Sequence, residues 1–223
     1  MPRTLLVYPQ AATHTLQGAP WLRRLRAMRG WAPWSFARSV AVGLSVLSVG
    51  CTMRSDLMAT TGAIGSGIHP EPEHALLLFV RPSSLGFAIH PALYDGDTLI
   101  GISSAQTAVA YQATPGPHRF MVVSEAADFL DAELIAGRTY FVTVEPRIGV
   151  WRARFSLLPL EAHSHNDEAA RLEHMQVMGT TDRAAGWDRE NRGSVLEKKD
   201  AYLRKWLAKP ATDRPVLRPD DGL

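Results

Sequence analysis

Few side chains in this sequence have the type and spacing to carry chemistry. His163, His165, Asp167 and His174 form its densest set of potential metal ligands. Zinc on a helix is commonly held by an i, i+4 histidine pair such as His-Glu-x-x-His, and the sequence contains none. The cluster reads as a polar helix start; a small metal-dependent hydrolase using it is the alternative. His118, Ser124 and Asp128 supply the residue types of a nucleophilic triad, but no Gly-x-Ser-x-Gly elbow presents the serine. Asp95-Gly96-Asp97 could open a calcium loop, yet it lacks the further acids and closing Glu of an EF-hand and reads as a turn. Arg147, Trp151, Arg152 and Arg154 bring three guanidinium groups and an indole to one sheet surface, chemistry suited to acidic glycan or lipid head groups. Glycine-rich phosphate loops, Cys-x-x-Cys pairs and dinucleotide fingerprints are absent from the sequence. The expectation is a non-enzymatic protein with no cofactor and no metal, whose possible ligand surface is the Arg147–Arg154 stretch.

The elements that position these residues follow a marked charge asymmetry. Residues 1–50 hold six Arg and no acid, whereas the rest of the 223-residue chain holds 18 Lys and Arg against 22 acids. The basic excess therefore belongs to one end, and nucleic-acid binding by the body of the protein is disfavoured. A single cysteine excludes an intrachain disulfide framework.

That cysteine, Cys51, follows Arg38 and the uncharged run Ser39–Gly50. A basic stretch, a short apolar core and small residues at a boundary are the anatomy of a secretory signal. A spanning helix needs about 20 apolar residues to cross about 30 Å of hydrocarbon, and Arg54 ends this uncharged run too early. Leu47-Ser48-Val49-Gly50-Cys51 resembles a bacterial lipobox, with Ser48 standing where Leu, Val or Ile is usual. The resemblance implies cleavage between Gly50 and Cys51 and diacylglyceryl transfer to the Cys51 sulfur. Met28 opens a signal of more usual length than Met1 does, so translation is expected to start there.

Residues 51–72 are small, polar and Gly/Pro-rich, and read as a lipidated flexible tether. Residues 73–160 read as an antiparallel β-sandwich of seven or eight strands. His74–Val80 is a continuous apolar run. Asp95-Gly96 sits between apolar pairs as a hairpin signal. Leu130, Ala132 and Leu134, then Trp151, Ala153, Phe155 and Leu157, alternate with polar residues. Residues 161–223 read as a helical extension, with one helix from Ser164 to Gly179 and another from Ser194 to about Ala208. In the second, Leu196, Leu203, Trp206 and Leu207 are expected on the packing face and Lys198 and Lys199 outside it.

Over residues 74–160 the order Phe79-Val80-Arg81-Pro82, Tyr94-Asp95-Gly96, Ile100-Gly101, Tyr111, Pro115-Gly116-Pro117-His118 and Ala136-Gly137-Arg138-Thr139-Tyr140 resembles the bacterial lipoproteins grouped as the domain of unknown function 2846 family. The resemblance implies a β-sandwich behind a lipidated signal and transfers no catalytic or ligand-binding residue. The expectation is thus a cell-envelope lipoprotein, held on the outer membrane facing the periplasm, acting as a binding or assembly module for an envelope protein or glycan. An inert structural component is the remaining reading.

Overall fold

The structure, a computed structural model, describes residues 54–147, 154–160 and 171–223. The chain divides into two units, Met1–Gly50 and Cys51–Leu223, and all the described residues belong to the second.

The described chain is mainly β. Its strands in order are β1 (Met58–Ala63), β2 (Ala75–Arg81), β3 (Ala92–Asp95), β4 (Thr98–Ile102), β5 (Thr107–Ala113), β6 (Gly116–Val123), β7 (Ala127–Leu134), β8 (Thr139–Arg147), β9 (Arg154–Pro159), β10 (Gln176–Thr180) and β11 (Val216–Leu217). One long helix, α1 (Asp182–Leu207), stands between β10 and β11. Two sheets form, a six-stranded one in the order β1-β10-β5-β2-β8-β9 and a five-stranded one in the order β11-β7-β6-β3-β4.

The apolar runs account for the layers. The expected strand at 74–80 is β2, and all of its residues are buried, because both faces of the central strand are covered. Leu77 and Phe79 point into the core between the sheets, where Phe79 meets the Phe120 ring edge-on at 5.4 Å. Leu76, Leu78 and Val80 point the other way, into a second cluster with Phe141, Leu172 and Val177. In β6 and β7, Phe120 and Leu130 face the core between the sheets. Met121 and Phe129 face outward and are covered by α1, whose Trp206 ring lies 5.9 Å from that of Phe129. The Asp95-Gly96 hairpin forms as expected, with Gly96 at φ +57°, a region open to glycine without a Cβ penalty.

Several expectations are corrected. The sheets are mixed rather than antiparallel, since β2 pairs with β8, β5 with β10 and β7 with β11 in parallel. Residues 58–63 of the expected tether are strand β1, which pairs with β10 and buries Met58 against Gly101. Residues 176–180 are β10 rather than the end of a helix, because Val177 and Met178 gain partners on both β1 and β5. The long helix starts at Asp182, not Ser194, and runs through Gly186 and Gly193. Its packing face is Ala184, Trp187, Val195, Tyr202, Leu203 and Trp206, while Leu196 and Leu207 are exposed. Lys198 and Lys199 lie on the packed side, donating to the Ser124 carbonyl and the Asp97 carboxylate at 2.6 Å each. The tail is thus integral to the sandwich, not an extension of it.

Candidate functional site

Strands β8 and β9 pair antiparallel and set Arg147 directly opposite Arg154 at the end of the hairpin where one strand passes to the other, both exposed. Two like charges facing each other across a ladder repel, an arrangement that favours an anion between them. Beyond this pair the chain that follows α1 folds back, and its Leu217 joins β11 to β7 with its side chain wholly buried. That return delivers Lys209 and Arg214 to the same place.

The result is an open cleft of about 530 Å³. Arg147, Arg154, Lys209 and Arg214 line it together with Asp128 and Asp213, and Phe155, Leu158 and Tyr202 contribute apolar wall. None of the four cations makes an ion pair among the described residues. The Arg214 guanidinium stacks over the Trp206 ring at 5.1 Å, and its Nε is buried without a hydrogen-bond partner. Arg119 stacks on the same ring at 5.2 Å, so Trp206 fixes both the helix end and one rim of the cleft. Chemically the cleft offers charge-assisted hydrogen bonds to carboxylate, phosphate or sulfate groups, beside a ring and an apolar strip.

The other sequence candidates fall elsewhere. Trp151 and Arg152 lie outside the described residues, as do His163, His165, Asp167, Gly50 and Cys51. His174 is exposed, with Nε2 3.0 Å from the Glu173 carboxylate, and no metal-ligating group of three forms among the described residues. His118 does not meet Ser124 or Asp128. It sits toward the opposite end of β6 from Ser124, with Nδ1 2.8 Å from Asp95 and Nε2 2.8 Å from the Thr114 carbonyl. Its ring stacks on Phe120 at 5.5 Å, and Tyr111 donates its hydroxyl to the same Asp95 carboxylate. Burial and that carboxylate push the Tyr111 hydroxyl up to about 12. Asp97, the other acid of the hairpin, accepts from Lys199, which holds its carboxyl below the usual range.

The residues behind the family resemblance have packing roles. Arg81 donates to three carbonyls, Asp95 gathers Tyr111 and His118, and Gly101 admits Met58. Tyr140 takes the Ile135 N–H and donates to the Pro219 carbonyl. Sequence reading pointed to Arg147 and Arg154 but missed Lys209 and Arg214. Their only signal is two cations that each adjoin a proline just past a helix end. No family model matches the chain, and no curated protein or solved structure matches it at a significant level.

Proposed function

We propose that this protein is a bacterial cell-envelope lipoprotein whose β-sandwich is a non-enzymatic binding module for an acidic envelope ligand, with the Arg147/Arg154/Lys209/Arg214 cleft as its site. The observation that carries the reading is the set of four cations, without ion pairs among the described residues, around one open, partly apolar cleft. An acidic glycan fits it best, because spaced carboxylate or phosphate groups would engage separate cations while a sugar face packs on Tyr202 or Phe155. The anchor is the Cys51 thioether. It is supported by the lipobox-like Leu47–Cys51 behind a basic, then apolar, stretch. Two or three acyl chains at about 0.8 kcal/mol per buried CH₂ hold a protein firmly where one chain binds marginally. Membership in the family of unknown function, an outer-membrane position and a start at Met28 belong to the same proposal.

Calorimetric titration of the purified protein with an acidic envelope oligosaccharide tests the site. Arg147→Glu combined with Arg154→Glu is expected to weaken binding at least about tenfold, or ~1.4 kcal/mol. Equal affinity in the double variant would remove the cleft from the proposal. Mass spectrometry of the membrane-extracted chain tests the anchor: Cys51 is expected at the N-terminus with its diacylglyceryl group, and an unmodified Cys51 would end the lipoprotein reading.

A further inference from the structure

The turn between β2 and β3 presents apolar side chains to water on a rigid support. Arg81 closes β2 and is wholly buried, yet among the described residues no carboxylate pairs with it. Its guanidinium donates to the carbonyls of Ile89 at 2.8 Å, Leu85 at 2.9 Å and Gly86 at 2.8 Å, and stacks on the Phe155 ring at 4.7 Å. Gly86 takes φ +65°, and its carbonyl also accepts the Ile89 N–H. A cation thus fastens the loop from beneath through three carbonyls. The exposed positions of the loop are Pro82, Ser84, Leu85, Phe87 and Ala88, with Leu85 48 % and Phe87 53 % exposed.

Single exposed apolar residues are ordinary. Two observations set this loop apart from them. The Ser55 N–H donates to Ser104 Oγ at 3.3 Å, and that oxygen lies 3.1 Å from Nδ1 of His90, at the foot of the loop. Cys51 precedes Ser55 by four residues, which can span at most about 14 Å at ~3.5 Å per residue. An anchor at Cys51 is therefore tied within about 14 Å of Ser55, at the foot of this loop, and β1 removes most of the slack that a tether over 51–72 would have supplied. Phe155, the ring beneath Arg81, also lines the basic cleft, so the loop and the cleft share one end of the sandwich.

We infer that the Pro82–Pro91 loop is a membrane-contact element whose Leu85 and Phe87 enter the boundary between phospholipid head groups and acyl chains. The inference rests on acylation of Cys51. Anchor and loop together fix two points of the sandwich on the bilayer, and the cleft then opens at the lipid surface. Burying two such side chains in the interface adds to the anchor and, above all, sets orientation.

The test uses the full chain, produced in a bacterium, purified as the mature lipoprotein and reconstituted in phosphatidylcholine vesicles. Because Cys51 is the only cysteine, Phe87→Cys gives a unique site for an environment-sensitive fluorophore once Cys51 is acylated. Glu133→Cys, exposed toward the opposite end of β7, serves as the control. Emission from position 87 is expected to shift to the blue and to be quenched by bromolipid, while position 133 stays solvent-like. A solvent-like position 87 in a chain shown by mass spectrometry to be acylated overturns the loop contact and leaves the anchor standing. An unmodified Cys51 overturns the anchor and the loop contact with it. The variant Phe87→Cys with Cys51→Ser, free of vesicles, is expected to stay solvent-like at all concentrations. A blue shift that grows with its concentration means that a second copy covers the loop, and overturns the membrane contact.

Discussion

Arg81 shows how one side chain can determine the path of ten residues. Burial draws its guanidinium down to about 10, so it is still a cation at neutral pH, and among the described residues its charge is met by carbonyl dipoles and the face of Phe155. Hydrogen bonds to charged groups contribute about 1.5–3 kcal/mol. Arg81→Met, which keeps the apolar stem, is expected to destabilise by about that amount in urea denaturation and to make the Pro82–Pro91 loop sensitive to limited proteolysis. A second residue-scale prediction concerns His90. Burial, and then the neighbouring Arg81 charge, hold its pKa below the ordinary 6.5. The unfolded chain therefore takes up that proton first. Stability from this source is complete above the ordinary value and is lost as pH falls through the lower folded value. Thermal midpoints should drop on acidification below about pH 6.5, and His90→Gln should flatten that part of the curve. An unchanged slope in His90→Gln would assign the acid sensitivity to other groups.

Elements meet through a few close approaches. In β4 a Cβ on Gly101 would stand 2.9 Å from both Met58 Cε in β1 and Val109 Cγ1 in β5. This glycine is retained for space rather than for backbone freedom, since it lets β1 and the sandwich core close on each other. Gly101→Ala is expected to cost about 1–3 kcal/mol through overpacking. Adding Met58→Ala should recover part of that loss and no more, because Val109 still blocks the other side. Additive losses in the double variant would show that the two residues do not press on each other. On the opposite layer, α1 is held by Trp206 against Phe129 and by the Tyr94 hydroxyl, which donates to Asp188 at 2.8 Å. Burial and that carboxylate raise the Tyr94 pKa, keeping it a donor at any physiological pH. The same helix passes its last turn to the cleft, so an element that looks peripheral in sequence decides where Lys209 and Arg214 stand.

For the molecule as a whole, the returning tail links stability to binding. Leu217 is wholly buried, Leu223 exchanges two backbone hydrogen bonds with Thr139, and Arg138 donates to the Gly222 carbonyl. Deleting residues 216–223 is expected to lower the unfolding midpoint and also to weaken acidic-oligosaccharide binding about as much as the Arg147→Glu, Arg154→Glu pair does. The tail carries Arg214 to the rim, and without β11 its stacking on Trp206 loses the strand that keeps it in place. Binding that survives the deletion would confine the site to the β8–β9 hairpin. Raising salt should weaken the intact complex steeply, because Arg147, Arg154 and Lys209 are exposed and the Debye length is only about 8 Å at physiological ionic strength.

Sequence alone determined the local and periodic features. These include β2 as a continuous apolar run, the Asp95-Gly96 hairpin, the alternation over Leu130–Leu134 in β7, and the end of the long helix near Ala208. Apolar periodicity and glycine's access to positive φ act over a few residues, so they can be read without a partner. Tertiary structure decided the rest. Met58–Ala63 (Met-Ala-Thr-Thr-Gly-Ala) is made mostly of small residues and contains a glycine, and becomes a strand because β10 offers it an unpaired edge. Val177 and Met178 have no intrinsic reason to leave a helix until β1 and β5 close on both sides of them. Arg147 and Arg154 were legible as a basic strand pair, but Lys209 and Arg214 joined them through docking of Leu217 and Trp206 more than 50 residues downstream. A cleft between segments that distant is set by long-range burial, which no local pattern encodes.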